Sequence, residues 1–214
     1  MITVKVFPNN PLDENTYLLY DESKEAVIID CGALTKDERR TIHQYVQEHS
    51  LEPAHFLLTH GHFDHIFGAQ WVYDTYGLSP SILEPDLPLY NKGCMQLLEM
   101  FGTHLQFSVP NPGKILHDNE EILFGEGIKV KAIATPGHTP GGCCYYISGA
   151  SPIIFTGDSL FKGGIGRTDF PGGSYEALTK SLKEKVLTLP SSTIVYPGHG
   201  ASSTIAAEKA SPFF

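Results

Sequence analysis

Four apolar runs in this chain lead into glycine-bearing turns that carry a histidine or an aspartate, and this pattern constrains the fold most. Phe56-Leu57-Leu58-Thr59 runs into His60-Gly61-His62, and Ile133-Ala134-Thr135 into Pro136-Gly137-His138. Ile153-Ile154-Phe155-Thr156 runs into Gly157-Asp158, and Ile194-Val195-Tyr196 into Pro197-Gly198-His199. Each run reads as a buried strand. A glycine lets the backbone turn sharply at the strand end. Strand ends in a sandwich can converge on one edge of the sheets. A fold that aims three histidine-bearing ends and one aspartate-bearing end at a common point has built a metal site.

The 214 residues suit one domain with a proper core. Hydrophobic residues make up 41% and charged residues 18%, as in an ordinary globular protein. The net charge of −9 argues against a nucleic-acid partner, which usually meets a basic stripe. Cys31, Cys94, Cys143 and Cys144 show neither zinc-finger spacing nor a disulfide framework, so they read as buried free thiols of a reducing compartment. Ile2 to Phe7 alternate as a strand, with no signal peptide, and no run approaches a membrane span. A cytoplasmic location without membrane partners is the expectation.

Strands are expected at 2–7, 17–20, 26–30, 54–59, 121–124, 128–134, 143–148, 152–156 and 193–196. Thr35 and Glu38 form a capping-box pattern, ahead of a helix with Ile42, Tyr45, Val46 and His49 on one stripe. A second helix is expected from about His65 to Gly77, and a third follows Ser174 with Leu178, Leu182, Val186 and Leu189 on one face. Residues 85–112, rich in proline and glycine, read as a helical insertion, a lid or a surface connection. The two halves repeat one coarse plan within a single domain, 1–214. Two β-rich sheets face to face with helices outside is the simplest layering.

His60-Gly61-His62-Phe63-Asp64-His65 is the sharpest local signal. In a tight loop, alternate residues face different points, which favours His60 and His62 for one ion and Asp64 and His65 for a second. His138 can complete the first trio and His199 the second, while Asp158 can bridge. Imidazole and carboxylate suit zinc, iron or manganese. Two such ions about 3.5–4 Å apart share a hydroxide at neutral pH. Asp64 and Asp158 are therefore the candidate catalytic carboxylates. His43, His55 and His117 lack this context, and His104 is a weaker substrate-side candidate within 85–112.

T-H-G-H-F-D-H at 59–65 resembles the H-x-H-x-D-H signature of the metallo-β-lactamase superfamily. T-P-G-H-T-P-G at 135–141, F-T-G-D-S-L-F at 155–161 and P-G-H-G at 197–200 resemble its later motifs, in order. The resemblance implies an α+β fold, a four-layer αβ/βα sandwich of two mixed sheets with a two-metal site at one edge. It implies His60, His62 and His138 for one ion, Asp64, His65 and His199 for the other, and Asp158 between them. The stretches 157–161 and 166–170 resemble the glyoxalase II group, and its short bacterial relatives most.

That resemblance implies a small-molecule thioester substrate, S-acylglutathione or a related compound, attacked by a metal-bridging hydroxide with two divalent ions, zinc first. Arg167 would face a substrate carboxylate, and one of Tyr145 and Tyr146 would line the site. Full-length glyoxalase II also has a helical C-terminal domain that helps hold glutathione, and with the sequence running to Phe214 the expectation is a protein of the short group, with glutathione itself less expected than a related thioester. An alternative resemblance, through G-R-T-D-F, is to the mononuclear iron persulfide dioxygenases, from which P-G-H-G in place of P-A-H-D departs. A true β-lactamase is disfavoured by Asp158 and His65, and a metal-stabilised binding module is the non-enzymatic reading.

Overall fold

A computed structural model describes residues 1–102 and 105–211, without the side chains of 98, 100 and 101. His104 lies outside the described residues. The first half lays down β1 (Thr3–Asn9), β2 (Glu14–Tyr20), β3 (Glu25–Ile29), α1 (Lys36–Glu48) and β4 (Glu52–Leu57). These strands form one sheet in the order β1-β2-β3-β4, with β3 and β4 parallel because α1 crosses between them. Next come α2 (Phe63–Ile66), α3 (Ala69–Tyr76), β5 (Ile82–Leu83), α4 (Leu87–Lys92), α5 (Met95–Phe101) and β6 (Ile115–Leu116), which pairs with β5. The second half adds β7 (Glu121–Phe124), β8 (Ile128–Ala134), β9 (Cys143–Ile147), β10 (Ile153–Gly157) and a hairpin of β11 (Leu160–Phe161) and β12 (Gly164–Ile165). It ends with α6 (Tyr175–Ser181), β13 (Ile194–Pro197), β14 (Ser203–Thr204) and α7 (Ile205–Lys209). The second sheet runs β14-β13-β10-β9-β8-β7.

Three apolar layers hold these parts together. Tyr17, Leu19, Val27 and Ile29 of the first sheet meet Val130, Tyr145, Ile147 and Phe155 of the second. Leu18, Ile28 and Phe56 point the other way, against Ile42 and Val46 of α1 and Val72 of α3. Ile133, Cys144, Ile154 and Val195 likewise meet Leu178, Leu182 and Val186. Both faces of each sheet are covered, so central strands are apolar throughout rather than alternating. This is the expected four-layer αβ/βα sandwich.

The differences from the expected elements have local causes. β4 ends at Leu57 because the Thr59 amide leaves the ladder and donates to Asp30 Oδ1 at 2.7 Å. The helix expected from His65 is split into α2 and α3. Gly68 sits at the break, its amide donating to the Cys31 carbonyl at 2.8 Å. A β-carbon there would lie 2.4 Å from Cys31 Sγ. The capping box forms in both directions between Thr35 and Glu38. The four cysteines are unpaired, with Cys31, Cys143 and Cys144 buried and Cys94 half-buried.

Strand direction explains why the ligand-bearing turns share one edge. β8 and β10 are each antiparallel to β9, and β10 is parallel to β13, so these three carriers end together. The Cys143 amide of β9 donates to the Thr59 carbonyl at 2.8 Å, which brings the end of β4 to the same edge.

Candidate metal centre

His60, His62 and His138 place one nitrogen each within 4.8 Å of one another, and Asp64, His65 and His199 form a second such group. Asp158 stands between them. Its Oδ2 is 3.5 Å from His138 Nε2, while its Oδ1 is 3.3 Å from His65 Nε2 and 3.6 Å from His199 Nε2. Asp64 Oδ2 lies 3.2 Å from His199 Nε2. Asp64 sits in the first turn of α2 without capping it, since His62 holds that position. The seven side chains singled out in the sequence are thus brought together.

The imidazoles are oriented from behind. His65 Nδ1 is 2.9 Å from Asp30 Oδ2, His138 Nδ1 is 2.7 Å from the Arg167 carbonyl, and His199 Nδ1 is 2.8 Å from the Leu12 carbonyl. In the neutral ring each acceptor would hold the proton on Nδ1, so that Nε2 is the atom offered to the centre. Thr59 Oγ1 donates to Asp30 Oδ2 at 2.7 Å and lies 3.0 Å from His60 Nδ1. His62 turns its Nδ1 inward instead, 2.9 Å from His138 Nε2.

Electrostatics divides the set. Burial, reinforced by neighbouring imidazoles, holds His60 well below the usual histidine range. Burial and then His138 lower His62 to about 3. Both are therefore neutral and able to donate a lone pair at pH 7. Burial opposes charge on His65, but Asp158, Asp30 and Asp64 together drive it well above the usual range. Burial likewise opposes charge on Asp158, but His65, His60 and His138 together outweigh it and hold the carboxyl well below the usual carboxylate range.

The residues fit a pair of divalent ions. His60 Nε2, His65 Nε2 and Asp158 Oδ1 are buried without a hydrogen-bond partner, and all three face the centre. Unpaired buried polar atoms are costly, and cations satisfy these three at once. A divalent ion that binds only the folded chain would stabilise it by about 2.7 kcal/mol at about 100 times its Kd. The melting temperature should therefore rise by roughly 5–10 °C for a chain of this size. Differential scanning calorimetry with and without zinc checks this, and a His60→Ala variant should lose most of the rise.

The glycines of the four turns serve two purposes. Gly137 and Gly157 take positive φ, 137° and 47°, as a sharp turn requires. Gly61 and Gly198 are needed for space: a β-carbon would lie 2.8 Å from the Tyr90 amide or 2.3 Å from Asp158 Oδ1. At Gly137 it would also lie 2.3 Å from the Leu178 amide. Gly137→Ala should therefore push α6 away and cost about 2–4 kcal/mol, read by urea unfolding.

Four buried side chains that build the site were not singled out in the sequence. Asp30 follows β3 and braces Thr59 and His65. Glu14 Oε2 accepts from the Gly32 amide at 2.9 Å, and its Oε1 lies 3.9 Å from His65 Nδ1. Asp86 Oδ2 accepts from the Gly61 amide and Thr139 Oγ1, both at 2.8 Å, and Oδ1 accepts from the Gly141 amide at 2.6 Å. Gln96 Oε1 accepts from the Phe63 amide at 3.1 Å, and its Nε2 donates to the Gly61 carbonyl at 2.8 Å. Asp86 and Gln96 belong to the irregular segment 85–112, which thereby buttresses two ligand loops. An aspartate closing the all-apolar run 26–29 was a legible signal for Asp30; Asp86 and Gln96 offered none.

The substrate contacts expected at the tyrosines are corrected. Tyr145 is buried between the sheets and its hydroxyl donates to the Leu58 carbonyl at 2.7 Å. Tyr146 points to the opposite face and packs with the Ile133–Ile154 layer. Strand alternation sends both away from the cavity over the metal centre. That cavity, about 540 Å³, is walled by Leu12, Phe63, Phe161 and Phe170 and has Arg167 in its lining. The Arg167 guanidinium lies over the Phe170 ring at 3.8 Å and makes two 2.7 Å hydrogen bonds to the Asp169 carboxylate. Its charge is thus already partnered in an exposed pair.

The family profile described as "Metallo-beta-lactamase superfamily" matches residues 9–199. The chain belongs to this superfamily. It is 35% identical to "Hydroxyacylglutathione hydrolase GloC" of Haemophilus influenzae, over 99% of this chain and 98% of that one. Among solved structures, "BLEG-1 B3 metallo-beta-lactamase" superposes with TM-score 0.88 at 32% identity, covering 99% of both chains. TTHA1623 in a di-iron-bound form gives 0.85 at 34%, covering 98% of this chain and 100% of that one. ETHE1 from Myxococcus xanthus gives 0.77 at 27%, covering 97% and 82%. Among the described residues, no helix is long and apolar enough to cross a membrane.

Proposed function

We propose that this protein is a two-metal hydrolase of small acyl thioesters, of the glyoxalase II kind. One observation carries the reading: two complete ligand trios meet with the carboxylate of Asp158 facing both. A mononuclear site would need only one trio. The likeness to the Haemophilus influenzae hydroxyacylglutathione hydrolase supports the choice of a thioester.

His60, His62 and His138 would hold one ion and Asp64, His65 and His199 the other, with Asp158 shared. Bound divalent ions supply a water of lowered pKa and an electrophile for the acyl oxygen. The chain supplies the rest. Neutral His60 and His62 keep their lone pairs free for ligation, and Asp64 and Asp158 provide the negative charge that balances the cations. Phe63, Phe161 and Phe170 give the cavity apolar walls beside the candidate ligands. A thiolate leaving group has a pKa near about 8.5 and departs without a strong general acid, which fits a cavity lining in which every acid is a candidate ligand. The acidic balance of the chain suits a small-molecule partner over a nucleic acid.

Zinc-loaded and iron-loaded protein should both be assayed with S-lactoylglutathione. Thiol release, followed with a chromogenic thiol reagent, is the expected result with zinc. Two control substrates address the named neighbours: a chromogenic cephalosporin for BLEG-1, and glutathione persulfide with oxygen for ETHE1. Turnover of either in preference to every thioester tried would overturn the reading.

A further inference from the structure

The cavity above the metal centre shares two walls with a second, smaller one. Leu12 and Phe63 line both. The second cavity, about 280 Å³, is otherwise walled by Leu34, Phe67, Leu97 and Leu105 with Pro11, so every described residue lining it is apolar. Phe63, Phe67 and Leu97 are buried as a small satellite core, with Leu34 and Leu105 half-buried against it. Leu12, by contrast, is 50% exposed at the mouth of the site.

We propose that this cavity is an acyl subsite, taking an unbranched apolar chain of a few carbons on the carbonyl side of the scissile bond. The proposal rests on the hydrolase reading above and deepens it. Three features carry it. The shared walls set the cavity directly beside the place where an acyl carbonyl would sit. Both walls are fixed to ligand loops: the Leu12 carbonyl holds His199 Nδ1 at 2.8 Å, and Phe63 follows His62 with its amide held by Gln96. Finally, every described side chain that lines the cavity is apolar, which suits an alkyl chain. The volume lies below that of pockets for drug-sized ligands, roughly 300–1,000 Å³, and suits a short chain. Arg167 lines only the larger cavity, which leaves the polar thiol carrier on that side.

Acetate, butanoate and hexanoate are the carboxylates such a reaction would release. Their binding to the zinc-loaded protein, measured by calorimetry, tests the subsite without turnover. Each methylene should tighten binding about fourfold, placing hexanoate about 250-fold above acetate. Leu105→Trp, which fills the cavity, and Leu105→Ser, which makes it polar, should each flatten the series. A flat series in the unsubstituted protein, or a slope unchanged in both variants, overturns the proposal. A steep series abolished by the variants, with no thioester hydrolysed, leaves the subsite standing and removes the thioesterase reading. Hydrolysis of S-lactoylglutathione as fast as S-hexanoylglutathione, with a flat carboxylate series, does the reverse.

Discussion

Asp158→Ala should lower kcat/KM for a thioester by on the order of 10³-fold or more. Losing a group that merely orients a ligand already costs about 10–100-fold in metal affinity or activity. Asp158 is placed to do more, because its two oxygens face different histidine groups, at 3.5 Å and 3.3 Å. Metal content measured on the purified variant should fall from two ions per chain to one or fewer. Asp158→Asn keeps the side-chain volume and should show the same loss, which separates charge from packing. Activity within tenfold of the parent in both variants would contradict the bridging role.

Asp86→Ala should destabilise the fold and loosen the site together. The carboxylate is fully buried and takes three donors from two separated loops. Alanine would leave the Gly61 and Gly141 amides and the Thr139 hydroxyl without acceptors, at about 1–3 kcal/mol each. Burial also holds the Asp86 carboxyl above the usual carboxylate range, so its removal returns part of that desolvation cost. The net loss should be about 3–5 kcal/mol by urea unfolding. Metal affinity should fall about 10–100-fold, because Gly61 lies between His60 and His62 while Thr139 adjoins His138. Asp86→Asn retains an acceptor for two of the three donors and should sit between the parent and alanine. A variant with unchanged zinc affinity would show that the two loops hold themselves in place.

The readable parts of this sequence are those whose signal is local. His60, His62, Asp64 and His65 fall within six residues, and His138, Asp158 and His199 each follow a run of buried-strand residues and a glycine. Apolar runs survive in the sequence because both sheet faces are covered, so strand positions were visible to within a residue or two at most ends. Asp86 and Gln96 were not visible. Their partners lie across the fold, from Gly61 to Gly141, and nothing in an irregular stretch marks which polar residue turns inward. The break between α2 and α3 was hidden for a similar reason, since it depends on the approach of Gly68 to Cys31. Tyr145 and Tyr146 show the limit of alternation: it separates two faces, but the layer each face meets is decided by the sandwich. In this fold, both layers are core.

Anomalous X-ray diffraction from metal-loaded crystals tests the central claim most directly. The account predicts two peaks per chain, one against His60, His62 and His138 and one against Asp64, His65 and His199, with the Asp158 carboxylate between them. A single peak, or metal bound away from these seven side chains, would contradict it.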